Sequence, residues 1–189
     1  MKKMMMSAAL GLALLSLIAP RQADATPTLS LSDGVNTVVV ADGGAGDTDA
    51  TVNGLVSFNG TLGGTTVWTV NVTTGITTPV IGSPTSPEMD LNSVNVSSTG
   101  GGTLTLKFSE IGFSSPLGFI AAIGGTAGGS VSYSTFLSNT NTLFAETTAL
   151  TSQGPFGPGA FSGTTSGLAG GAGPFSLTQV VTITHANAG

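Results

Sequence analysis

Short runs in which every second residue is apolar recur from residue 28 to residue 185 of this 189-residue chain, each closed by glycine, asparagine, aspartate or proline. A two-residue period puts successive side chains on opposite faces of an extended strand. Helix is opposed throughout by Gly, Thr, Ser and Asn, all weak helix formers. The spacing predicts strands at 28–32, 36–41, 51–58, 65–73, 91–97, 103–109, 117–123, 130–138, 142–151 and 175–185, with a helical turn over 145–149 as the alternative inside the ninth. Trp68, Val70 and Val72 share one face of their strand; so do Leu104, Leu106 and Phe108, and Leu177, Val181 and Ile183. About ten strands at short, regular spacing imply an all-β fold, an antiparallel β-sandwich of jelly-roll or immunoglobulin-like type. Trp68, Phe58, Phe108, Phe119 and Phe136 would supply the bulk of its core. A β-solenoid would need a repeat of fixed period, and the chain has none.

The turn chemistry places the connections. Asp33-Gly34 predicts a hairpin, because its glycine tolerates positive φ. Asn59-Gly60 is expected to turn the third strand into the fourth. Residues 74–90 hold Pro79, Pro84 and Pro87 and read as a loop or crossover. The runs 91–97 and 103–109 read as the clearest hairpin, turning through 98–102. Residues 152–174 carry 8 glycines and 3 prolines and predict a long loop, with Phe156 and Phe161 folded back over a sheet or held out to a partner.

Residues 1–25 read as a secretory signal peptide. Lys2 and Lys3 open it, 7–19 is apolar, and Ala23-Asp24-Ala25 has the form of a cleavage site. The apolar run is shorter than the roughly 20 residues a membrane span needs, and no second run of spanning length follows. The expectation is a secreted, extracellular protein, with 26–189 as a single β-sandwich domain and no membrane span after cleavage.

Charge excludes further classes. Residues 26–189 hold one basic residue, Lys107, against eight acidic ones, a net charge of −7. Nucleic-acid binding needs a basic patch that this composition cannot form. Without cysteine there is no disulfide and no thiolate metal site. A Ser-His-Asp relay would rest on His185 alone, and neither a G-x-S-x-G elbow nor a phosphate-binding glycine loop occurs. The chain is therefore expected not to be an enzyme. Strand edges are normally guarded by lysine or proline, and only Lys107 is available, so self-association is expected.

Three groups of residues could bind. Asp42, Asp47 and Asp49 lie in the glycine-rich stretch ADGGAGDTDA, where carboxylates and turned-in carbonyls could hold calcium. That run is similar to a single calcium-binding G-G-x-G-x-D repeat, with Thr48 at the expected aspartate; the alternative is a solvated acidic turn. Glu88 and Asp90 would share a face at a strand start, as paired carboxylates or an exposed pair. Trp68 and Tyr133 could stack on sugar or pack in the core.

The stretches DLNSVNVSSTGGGTLTLKFSE (90–110), GSVSYSTFLSNTNTLF (129–144) and FSLTQVVTITHANAG (175–189), behind a signal peptide, resemble the bodies of secreted bacterial proteins of the PEP-CTERM type. The resemblance implies association with exopolysaccharide and biofilm, and carries over no functional residue. The type's sorting tail (Pro-Glu-Pro, an apolar helix and a basic end) is not present in this chain. The function expected is structural or adhesive, in the extracellular matrix, with exopolysaccharide or another copy as partner. The alternative is a calcium-assisted carbohydrate-binding module using the 42–49 loop.

Overall fold

The computed structural model of the chain describes residues 26–115, 118–171 and 173–189; the signal-peptide reading of 1–25 lies outside them. The described residues form eleven strands and no helix: β1 (Thr28–Ser32), β2 (Thr37–Ala41), β3 (Leu55–Gly63), β4 (Val67–Ile76), β5 (Asp90–Ser98), β6 (Gly102–Phe113), β7 (Gly118–Ala127), β8 (Ser130–Ser138), β9 (Thr148–Phe156), β10 (Gly159–Leu168) and β11 (Phe175–His185). They build a six-stranded sheet, β2-β1-β6-β11-β8-β9, a three-stranded sheet, β3-β4-β5, and a two-stranded ribbon, β10-β7. Every ladder is antiparallel. The last six strands pair in nested order: β8 with β9, β7 with β10, β6 with β11.

The alternating faces become the core. Leu29, Leu31, Leu104, Leu106 and Phe108 of the six-stranded sheet meet Val56, Leu62, Trp68, Val70 and Val72 of the three-stranded sheet, and Ala121 joins from the ribbon. Each fully buried side chain of this size contributes roughly 1.5–3 kcal/mol. A second cluster, Phe113, Leu137, Leu150, Phe175 and Leu177, closes one end. The fold is thus all-β and antiparallel, with one apolar layer between sheets. The Asp33-Gly34 hairpin forms as expected: Gly34 has φ of 90°, and Asp33 Oδ1 accepts from the N–H groups of Val35 (2.9 Å) and Asn36 (2.6 Å). These bonds, the one to the Asn36 backbone foremost, hold the Asp33 carboxyl below its ordinary range.

Several expectations are corrected. The 152–174 segment is mostly strand rather than loop: it finishes β9 and supplies all of β10, leaving only Gly157-Pro158 and the stretch after Leu168 between strands. Two of its glycines, Gly163 and Gly167, stand where β10 presses on β9. A side chain at Gly167 would strike the Leu150 carbonyl, and one at Gly163 the Gln153 amide. Within it, Phe156 and Phe161 stack, centroids 5.0 Å apart, and Phe161 packs against the core. The runs 91–97 and 103–109 are not a hairpin. β5 pairs with β4, whereas β6 crosses to the other sheet between β1 and β11, and Gly100 to Gly102 carry the chain across. Asn59-Gly60 lies inside β3, where the Phe58 ring fills the space a Gly60 side chain would take; the turn comes after Gly63, at φ of 118°. Phe136 is only half-buried, because Tyr133 and Leu137 have the inward parity on β8. Phe119 leaves the main core and meets Phe175 edge-on at 6.5 Å. Lys107 guards no edge: it sits mid-strand in β6 and pairs with Glu146 at 2.5 Å.

Candidate functional site

The three-stranded sheet and the ribbon do not join. Between β5 and β7 runs a cleft of about 1020 Å³, walled by residues 90–96 on one side and 119–127 on the other. Its floor is the inner face of β8 and β11, where the two-residue period presents Val131 and Tyr133 beside Val181 and Ile183. Glu88 and Asp90, both exposed, lie at one end, and His185 at the other.

Polar atoms interrupt this apolar floor. Gln179 donates its amide N–H to the Met89 carbonyl at 2.9 Å, while its Oε1 is buried without a partner. The Tyr133 phenol is pushed up to about 12, by burial first and then by the nearby Asp90 carboxylate, so it stays a neutral hydroxyl. At the Glu88 end, Glu110 of β6 is fully buried. Its Oε2 meets the Thr77 hydroxyl, and its Oε1 has no partner. Burial pushes the Glu110 carboxyl up to about 7, against the hydrogen bonds from Thr77 and Thr78. Sequence reasoning missed Glu110 and Gln179, since a single polar residue in an alternating run carries no mark of its partners.

The three aspartates bind groups of their own loop and of the start of β3. Asp42 is buried and accepts from the N–H groups of Asn53 (3.0 Å) and Gly54 (2.7 Å). Asp47, also buried, accepts from Gly43 (2.9 Å), Asp49 (3.1 Å) and Ser57 (3.0 Å) N–H groups. Asp49 accepts from the Thr51 hydroxyl (2.8 Å) and the Asn53 amide (2.7 Å). Among the described residues no three acidic or imidazole side chains gather as a metal-holding group. The loop is therefore tied together by its carboxylates. Asp42→Ala is expected to cost about 1–3 kcal/mol, because it orphans the buried N–H of Gly54 and the part-buried N–H of Asn53; thermal denaturation of the variant checks this.

His185 forms a buried pair with Ser98, Nδ1 to Oγ at 2.8 Å, and packs on Trp68 with centroids 5.1 Å apart. The Ser98 hydroxyl points its proton at the Gly100 carbonyl, 2.8 Å away. That leaves Nδ1–H as the donor to Ser98, the reverse of the direction a general base requires. Trp68 and Tyr133 are both core residues, with Tyr133 at the cleft floor. The arrangement can hold an extended chain over an apolar floor with scattered polar anchors. No family model, curated protein or solved structure matches this chain.

Proposed function

We propose that this is a secreted, non-enzymatic matrix protein with a structural or adhesive role, which holds an extended polymer in the cleft between β5 and β7. We assign its body to the jelly-roll type rather than the immunoglobulin type. The nested pairing of β6 to β11 supports that assignment, since it is what a long two-stranded ribbon makes when it curls over itself. The observation that carries the functional reading is the cleft, a long trough in one layer floored by the other rather than an enclosed pocket. The sparse charge of residues 26–189 and the likeness to secreted PEP-CTERM-type bodies accord with a matrix setting.

Retention of the purified protein on exopolysaccharide-rich biofilm matrix tests the reading. Ala121 projects from β7 toward the core at the cleft, so Ala121→Arg fills the trough. The variant is expected to be retained several-fold less than the parent; equal retention overturns the reading. The same assay in a chelator tests the alternative, a calcium-assisted carbohydrate-binding module, which loss of retention there would favour.

A further inference from the structure

The outer layer is one strand short. Six strands on one side face three plus two on the other, and the break falls between β5 and β7. Both walls of the cleft are therefore strand edges, with no further strand beside them among the described residues. An edge presents a row of N–H and C=O groups that only another extended backbone matches along its length.

The direction of the walls fixes how many strands fit. Met89, just before β5, is held by Gln179, and β5 ends with Ser98 bonded to His185. Phe119, near the start of β7, packs on Phe175, and after Ala127 the chain turns into Ser130, which pairs with Thr184. Both strands thus run from the Phe175 end of β11 toward its His185 end. Joined directly they would make a parallel pair in a protein whose ladders are all antiparallel. One strand between them, opposed to both, restores the pattern.

The first rung of that strand already exists. Gly189 N–H donates to the Ser98 carbonyl (3.0 Å), and Ser98 N–H to the Gly189 carbonyl (2.5 Å). A mutual exchange of this kind is an antiparallel pair. Trp68 is opposite Ser98 on the β4 side, so Gly189 lies on the outer edge of β5, in the lane of the missing strand. By the same alternation Val96, Val94 and Asp90 turn their peptide groups to that edge. The lane from Val96 to Asp90 takes roughly seven residues, about 23 Å. Charge orients the occupant: among the described residues the only acidic side chains lining the cleft, Glu88 and Asp90, are at its far end, and no lysine or arginine of theirs lines it.

We infer that the gap receives an extended segment of a partner polypeptide. The segment lies antiparallel to β5 and β7, places alternate apolar side chains on Val131, Tyr133, Val181 and Ile183, and carries a lysine or arginine near its C-terminal end. This rests on the adhesive reading above and names the class of polymer held.

The test titrates the purified protein with a seven-residue peptide of alternating Val and Thr ending in Lys. Two controls accompany it, one N-methylated on alternate backbone nitrogens and one ending in Glu. Binding is followed by calorimetry and by the shift in melting temperature. The parent peptide is expected to bind saturably and raise the melting temperature. N-methylation is expected to weaken binding at least tenfold, the Glu peptide several-fold, and Ala121→Arg to abolish it while the variant keeps its β circular dichroism. Equal binding of the N-methylated peptide overturns the inference, since the main chain would then not be read. So does absence of peptide binding. If oligosaccharide then binds and Ala121→Arg blocks it, or if sedimentation shows a dimer that the variant dissociates, the trough serves glycan or a second copy and the adhesive reading survives. If matrix retention is also unchanged in the variant, both fall.

Discussion

Trp68→Ala is expected to destabilise the protein by about 3–5 kcal/mol, a large part of the roughly 5–15 kcal/mol that holds a domain folded. Trp68 is the largest fully buried side chain, placed on β4 between Leu62 of β3 and Ser98 of β5. Its ring packs on His185 of the opposite sheet and lies close over Gly102. Its removal leaves a hole where two sheets meet, and strands held by ladders on both sides cannot collapse to fill it. Chemical denaturation should show a lower midpoint with an unchanged slope. A loss below about 1 kcal/mol would mean that the two sheets do not share the core described.

The second large effect is on pH dependence. The Glu110 carboxyl, ordinarily at 4.5, lies at about 7 in the folded chain, chiefly because burial disfavours its charge. The Thr77 hydroxyl lies against both Glu110 Oε2 and the Glu88 carbonyl, yet has one proton to give. The charged carboxyl takes that proton from Thr77; the protonated acid instead donates to Thr77, which turns its own proton to Glu88. Between pH 4.5 and about 7 the folded state keeps a proton that the unfolded state has released. Stability is therefore greatest below the lower value, falls as pH rises through this window, and has lost this contribution above it. The expected loss is on the order of 2–3 kcal/mol. Melting temperatures at about pH 5 and pH 8 should differ accordingly, and Glu110→Gln, a neutral near-isostere, should flatten the difference. A parent protein equally stable at both values would show that Glu110 is charged when buried or that its site is wet.

The strands were legible where period-two alternation is strong. The predicted bounds of β1 (28–32), β8 (130–138) and β11 (175–185) coincide with the observed ones, and the inward sets of β4, β6 and β11 are the buried ones. β10 was hidden because glycine's usual meaning, a break, was inverted. Here Gly163 and Gly167 admit the close approach of another strand, which is a fact about neighbours 10 and 17 residues away, Gln153 and Leu150. The partnership of β5 with β4 rather than β6 was equally invisible, since a glycine turn of this kind can either fold a strand back or carry it across the core. At the candidate site, Asp90 stood out as a carboxylate at a strand start, while the cleft itself is made of absent pairing. No single residue announces an edge. The acidic loop was recognised for its carboxylates; what they bind, the loop's own N–H groups, depends on backbone directions that residue type does not encode.

The position of Lys107 has one more consequence. Trypsin-like proteases require lysine or arginine and must thread the flanking chain through their own cleft in extended form. From residue 26 onward this chain offers them one such position, locked between β1 and β11 in the interior of the widest sheet. Digestion by that class of enzyme would have to wait for the whole sheet to come apart.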